Sequence, residues 1–157
     1  MAEITNLRTF PVVPSDVFGW EANTDVGYAR ETFTLTLTTG QTAQVGSVLK
    51  LDYATRTATL AAAPADAAAV TALGTVGVFV GRDTPVNPAV EADFDRLTVS
   101  TTGQKVVVII RGDGRGTLYK KYLDFAGTKF YTLAAAAQTA LISKFTLENR
   151  FKVLDQV

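Results

Sequence analysis

Between Lys105 and Gly116, five β-branched apolar residues follow one another without a break: Val106, Val107, Val108, Ile109 and Ile110. A strand with one wet face would alternate, so this one has both faces covered and lies inside a sheet or closed barrel. Arg111 returns the chain to solvent, and the glycines at 112, 114 and 116 allow a tight exit turn. Glu31 to Thr39 shows the opposite pattern. Phe33, Leu35 and Leu37 share one face, while Thr32, Thr34, Thr36 and Thr38 share the other. That alternation predicts a half-buried strand with a threonine face toward water or a partner.

Shorter apolar runs fill in the sheet. Gly46 to Leu51 and Arg56 to Leu60 read as strands joined through Asp52–Thr55, and Val76 to Val80 reads as another buried strand. Leu97 to Thr101 is expected to pair with the central strand through a turn at Thr102-Gly103-Gln104. Two segments follow a helical pattern instead. Ala61 to Leu73 is alanine-rich, with Pro64 suited to a first helical turn, and predicts one short helix. Thr132 to Asn149 predicts a longer one, with Thr132 as its cap and a stripe of Leu133, Ala137, Leu141 and Phe145 widened by Ile142. Phe151 to Leu154 reads as a final short strand. The expected fold is therefore mainly β (α+β): a small β-barrel or sandwich-like domain over 28–157 with one C-terminal helix.

Residues 1–27 do not follow either period. Pro11 and Pro14 interrupt any regular element, yet the stretch carries Leu7, Phe10, Val12, Val13, Val17, Phe18 and Trp20. A flexible spacer would be polar or rich in Gly and Ser. Two readings compete: a strap folded over its own core, and an extended arm that orders on another subunit by adding backbone to a sheet and burying aromatic anchors. Fully extended, such an arm spans roughly 90 Å.

Composition narrows the chemistry. Fifteen basic and fifteen acidic residues cancel, with no basic stripe, so strong electrostatic binding to nucleic acid or anionic lipid is not expected. Without Cys or His the chain has no disulfide, no thiolate nucleophile, no imidazole base and no Cys/His metal site. The amino end lacks a basic region followed by an apolar one, and no apolar run is long enough to span a bilayer, so a soluble product made in a cytoplasm is expected.

An ordered set of segments resembles a known family. Gly27-Tyr28-Ala29-Arg30-Glu31, the Thr-rich strand after it, Gly40-Gln41 and Val45-Gly46-Ser47-Val48-Leu49 look like the opening of the lambda-type phage head decoration, or capsid cement, proteins. Thr75 to Val80 and Lys105 to Gly112 look like two later strands of that family, in matching order. The similarity covers about Gly27 to Leu123, and the alanine block at 61–73 is insertion-like. The resemblance implies a structural virion protein, made in the bacterial host cytoplasm and carried on the outer capsid surface. It implies a homotrimer bound to the major capsid protein, whose sheet the N-terminal arm would extend. The arm's candidate contacts are Leu7, Phe10, Val12, Val13, Val17, Phe18, Trp20 and Tyr28. No cofactor, membrane or nucleic-acid partner is implied.

Other residues bear on alternative chemistries. An OB-like module for single-stranded nucleic acid would use the basic and aromatic positions Tyr119, Lys120, Lys121, Tyr122, Phe125, Lys129 and Phe130. The plainer alternative has lysines snorkelling beside core aromatics. Carboxylate-pair hydrolysis would draw on Asp52, Asp83 or Asp113, all at expected strand ends, where aspartates usually serve turns; no enzyme activity is expected. The acids Asp83, Glu91, Asp93 and Asp95 lack the glycine and closing Glu of an EF-hand and read as a solvated loop. Gly112-Asp113-Gly114-Arg115-Gly116 lacks the Lys-Ser/Thr of a P-loop and reads as a turn.

Overall fold

A computed structural model describes residues 12–20, 29–83 and 97–155. The described chain begins with one helical turn, α1 (Pro14–Val17), and a short strand, β1 (Phe18–Trp20). β2 (Arg30–Thr36), β3 (Ala43–Gln44), β4 (Val48–Asp52) and β5 (Thr57–Leu60) follow, then α2 (Ala67–Ala72) and β6 (Val76–Arg82). β7 (Thr98–Val99) and β8 (Lys105–Ile109) precede β9 (Thr117–Tyr119), a 3₁₀ turn at Lys120–Tyr122, and the hairpin of β10 (Asp124–Phe125) and β11 (Thr128–Lys129). A second 3₁₀ turn, Phe130–Thr132, leads into α3 (Ala135–Leu147) and β12 (Lys152–Leu154).

Five strands close into a barrel in the order β2-β5-β4-β6-β8, with β8 returning to β2. β2 runs parallel to β5, and the other neighbours are antiparallel. The domain is mainly β, with a closed barrel and a C-terminal helix, as the hydrophobic pattern predicts. On β2, Phe33 and Leu35 are buried while Thr34 and Thr36 are not, so the alternation maps directly onto inside and outside. On β8 and its exit, Val106, Val108, Ile109 and Ile110 are buried and Val107 is half-buried against the core.

Closing so few strands requires sharp bending. β6 supplies it with a register shift between Phe79 and Gly81 opposite β8, a bulge of the kind that bends a barrel strand. Close approach of the same two strands depends on Gly77. A Cβ there would stand 2.4 Å from Val108 Cγ1 and 3.0 Å from the Ile109 carbonyl oxygen, both inside contact distance.

Three expectations are corrected. β7 pairs with β3, through Ala43↔Val99 and Gln44↔Thr98, and not with β8. The turn before β8 is held by β2 instead: Gly103 N–H donates to the Leu35 carbonyl at 2.7 Å and Leu35 N–H donates to Gln104 at 2.8 Å. Pro64 lies outside α2, whose cap is Asp66, accepting from Ala69 N–H at 2.8 Å. Thr132 does not cap α3; its hydroxyl donates to the Lys129 carbonyl at 2.7 Å, and the helix begins after Ala134. The stripe itself holds, since Leu133, Ala137, Leu141 and Phe145 are all buried. Of the acidic loop, only Asp83 falls among the described residues.

A small polar network ties β12 to the start of α3. Tyr131 hydroxyl donates to Asp155, and Lys120 Nζ lies 2.9 Å from the same carboxylate. The Tyr131 bond, with Lys120 behind it, holds the Asp155 carboxyl below its usual range, while Tyr131 is pushed up to about 12. A depressed carboxyl stabilises the fold above its unfolded pKa, and that contribution is lost as pH falls through the folded value. Tyr131→Phe is expected to move the Asp155 titration upward toward 3.8, read as a carboxyl chemical shift against pH. An unchanged midpoint would show that the phenol does not set it.

Candidate functional site

The sequence points first to the amino-terminal segment, and its described part is tightly built. Pro14 fixes the first position of α1. Val13 N–H donates to Asp16 Oδ2 at 3.0 Å, and Asp16 N–H returns a bond to the Val13 carbonyl at 2.9 Å. This reciprocal pair turns the chain so that Val17 points inward and β1 can align antiparallel to β9, Phe18 opposite Leu118. Val17 is fully buried, Phe18 is nearly so, and Val12 packs half-buried against the same core. Val13 is half-buried.

This corrects part of the arm reading. Val17 and Phe18 are members of the chain's own core and offer almost no surface to a partner. Residues 12–20 form a turn and a paired strand on the domain rather than an extended arm. The backbone of Trp20 pairs with Thr117. Leu7, Phe10 and Tyr28 lie outside the described residues.

The basic-aromatic stretch is also placed. Phe125 and Phe130 are fully buried, so neither ring can stack on a base. Lys129 Nζ sits 3.0 Å from the buried Asp124, Lys120 holds Asp155, and Lys121 lies 5.3 Å from the Tyr122 ring centroid. Core aromatics with lysines alongside describe this segment. Asp52 serves its turn, accepting from Ala54 N–H at 2.9 Å and Thr55 N–H at 3.2 Å. The bonds from Thr55 and then Ala54 hold its carboxyl low.

A second site, which the sequence does not single out, lies where β8 leaves the barrel. A cleft of about 400 Å³ opens between the start of β6, the end of β8 and the carboxyl end of α3. Tyr53, Arg111, Asp113, Glu148, Asn149 and Arg150 contribute to its lining. Its floor is organised by Asn149, whose side-chain amide donates to the Val76 carbonyl at 2.9 Å and the Ile110 carbonyl at 2.7 Å. Those carbonyls belong to strand ends that no longer pair with each other, so the amide bridges the barrel where its ladder stops.

The glycine-rich loop after β8 forms the cleft's side and is stitched to the same segment. Gly112 N–H donates to the Asn149 carbonyl at 2.8 Å, Gly114 N–H to Arg150 at 2.7 Å, and Lys152 N–H to Gly116 at 2.8 Å. A Cβ on Gly112 would stand 2.5 Å from Phe151 Cδ1, so no larger residue fits that seam. The loop is turn chemistry, as its sequence predicts, and it joins the barrel to the helix end. Tyr53, at the rim, has its phenol pushed up first by burial and then by Glu31.

No protein-family model, curated protein or solved structure matches the chain. Among the described residues, no group of acidic side chains is arranged to hold a metal ion, and no helix is long and apolar enough to cross a membrane.

Proposed function

We propose that this chain is a structural virion protein of the phage capsid decoration type, binding the outside of an icosahedral head and stabilising it. The observation that carries the reading joins sequence to fold. The segments that resemble the lambda-type cement proteins fall on β2, β4, β6 and β8, which are successive neighbours around one barrel. Together they make up four of the barrel's five strands, so the resemblance spans the central structure of the domain and not a peripheral piece of it.

In this reading the barrel is a rigid platform and adhesion comes from the residues before Val12, with Leu7 and Phe10 as apolar anchors. Extension of a capsid-protein sheet over about six residues adds several hydrogen bonds at a net ~1 kcal/mol each. A buried aromatic adds roughly 1.5–3 kcal/mol. A homotrimer presenting three such segments gains further through effective concentration, so each grip can be weak alone.

The test uses shells assembled from the major capsid protein of the virus that, in this reading, carries the chain. Full-length protein is expected to coat them, and a variant lacking residues 1–11 to coat at least tenfold more weakly while remaining folded. Equal coating by the two would sink the arm mechanism. Failure of the full-length chain to coat those shells would sink the function itself.

A further inference from the structure

The place where residues 1–11 join the domain limits which face can meet a shell. Val12 packs half-buried against the core, and the reciprocal bonds of Val13 and Asp16 fix the chain direction just after it. Phe10, an anchor in the decoration reading, stands two residues upstream, and two extended residues span at most about 7 Å. A surface that grips the Phe10 ring therefore has to lie against the part of the domain around Val12. Leu7 constrains less, since five residues reach roughly 17 Å.

That part of the domain is made by α1 and the 3₁₀ turn at Lys120–Tyr122, which lie against each other. The two converge on Gly46, where an added Cβ would stand 2.4 Å from the Tyr122 carbonyl oxygen and 3.2 Å from Val17 Cγ2. Asp124 N–H donates to the Gly46 carbonyl at 3.0 Å and secures the chain directly after the turn. The face is thus rigid, because both of its elements are seated on one backbone position of the barrel. Of the side chains on α1 and the turn, Ser15 and Lys121 are the exposed ones.

Charge distinguishes Lys121 from its neighbours. Asp16 is engaged by Val13 N–H at 3.0 Å, and Lys120 lies 2.9 Å from Asp155. Lys121 has no carboxylate partner among the described residues, and its Nζ lies 5.3 Å from the Tyr122 ring centroid. The ring holds the cation at the surface by its negative face, and the ammonium donors stay available to an incoming acceptor.

We infer that the face formed by α1 and the Lys120–Tyr122 turn docks on the capsid shell, with Lys121 meeting an acidic group of the shell protein. The inference rests on the decoration reading and adds to it a contact on the folded domain. The apolar anchors before Val12 supply grip, and an exposed charge beside them supplies orientation and speed of encounter.

Reductive methylation of lysines, read by mass spectrometry, compares the full chain free and bound to the same shells. Lys50, exposed on β4, is the internal reference. Lys121 on shells is expected to react about fivefold more slowly than in the free chain, because an interface excludes the reagent, while Lys50 is little changed. Lys121→Glu is expected to coat about fivefold more weakly at low salt, and the deficit to shrink as salt screens the new repulsion. Lys50→Glu, with the same change in charge, is expected to coat as the unaltered chain does. The inference is overturned if Lys121 gains no more protection than Lys50, if Lys121→Glu coats as well as Lys50→Glu, or if its deficit is the same at high salt. Each of those results leaves the decoration reading standing, since the unaltered chain still coats. Failure of the unaltered chain to coat overturns both.

Discussion

Asn149→Ala is expected to destabilise the domain by about 3 kcal/mol. The substitution deletes both donors to the Val76 and Ile110 carbonyls, which then remain inside the protein without partners. Each orphaned group costs on the order of 1–3 kcal/mol, far more than the net value of the bonds when intact. Loss of Oδ1 costs little, because it has no partner among the described residues. For a chain of this size the thermal midpoint should drop by roughly 10 °C. Asn149→Asp should be no milder, since a carboxylate accepts where the two carbonyls require a donor. Urea unfolding of the three proteins checks this, and a shift below about 0.5 kcal/mol for Asn149→Ala would mean that the barrel end does not depend on the bridge.

Truncation at two points separates core from arm. Removal of residues 1–20 takes Val17 and Phe18 out of the core and strips β1 from β9. At roughly 1.5–3 kcal/mol for each side chain, plus the lost strand pairing, the expected cost is about 5 kcal/mol, comparable to the whole stability of many domains. Removal of residues 1–11 leaves α1, β1 and the Val13–Asp16 pair in place and is expected to cost less than ~1 kcal/mol. Denaturation midpoints of the two truncations decide the matter. Equal, large losses would make residues 1–11 part of the fold and remove the free segment that the decoration reading requires.

The behaviour of this segment shows what an apolar pattern does and does not encode. Val17 and Phe18 are unmistakably residues that seek burial, but side-chain hydrophobicity carries no label saying whose interior receives them. The deciding feature was local: Pro14 and Asp16 build a turn that aims Val17 inward, a signal present in the sequence and outweighed by the absence of a longer period. In the barrel the pattern sufficed, because Phe33 and Leu35 have only one dry side available and Val106 to Ile110 have little wet one. Pairing was harder to read than existence. Thr102-Gly103-Gln104 has hairpin residues, but its backbone bonds go to Leu35 on β2, while β7 pairs with a two-residue strand more than fifty positions earlier. Short non-local ladders leave almost no trace in sequence.

Helix ends failed for a related reason. Thr132 and Pro64 are plausible start signals, and each lost to a neighbour: the Thr132 hydroxyl found the Lys129 carbonyl, and Asp66 stood closer to the first full turn of α2. The cleft at the barrel end could not be foreseen at all. Its residues come from the β4–β5 turn, the exit of β8 and the end of α3, and only the fold brings them together. Nothing about Asn149 or Arg150 in isolation distinguishes them from ordinary helix-terminal residues.

The ring of β2, β5, β4, β6 and β8 has one more effect, on behaviour at high concentration. Every one of its strands has a partner on each side, so the ring presents no row of open amides on which another chain could template. Many copies can therefore crowd together without the barrels seeding fibres.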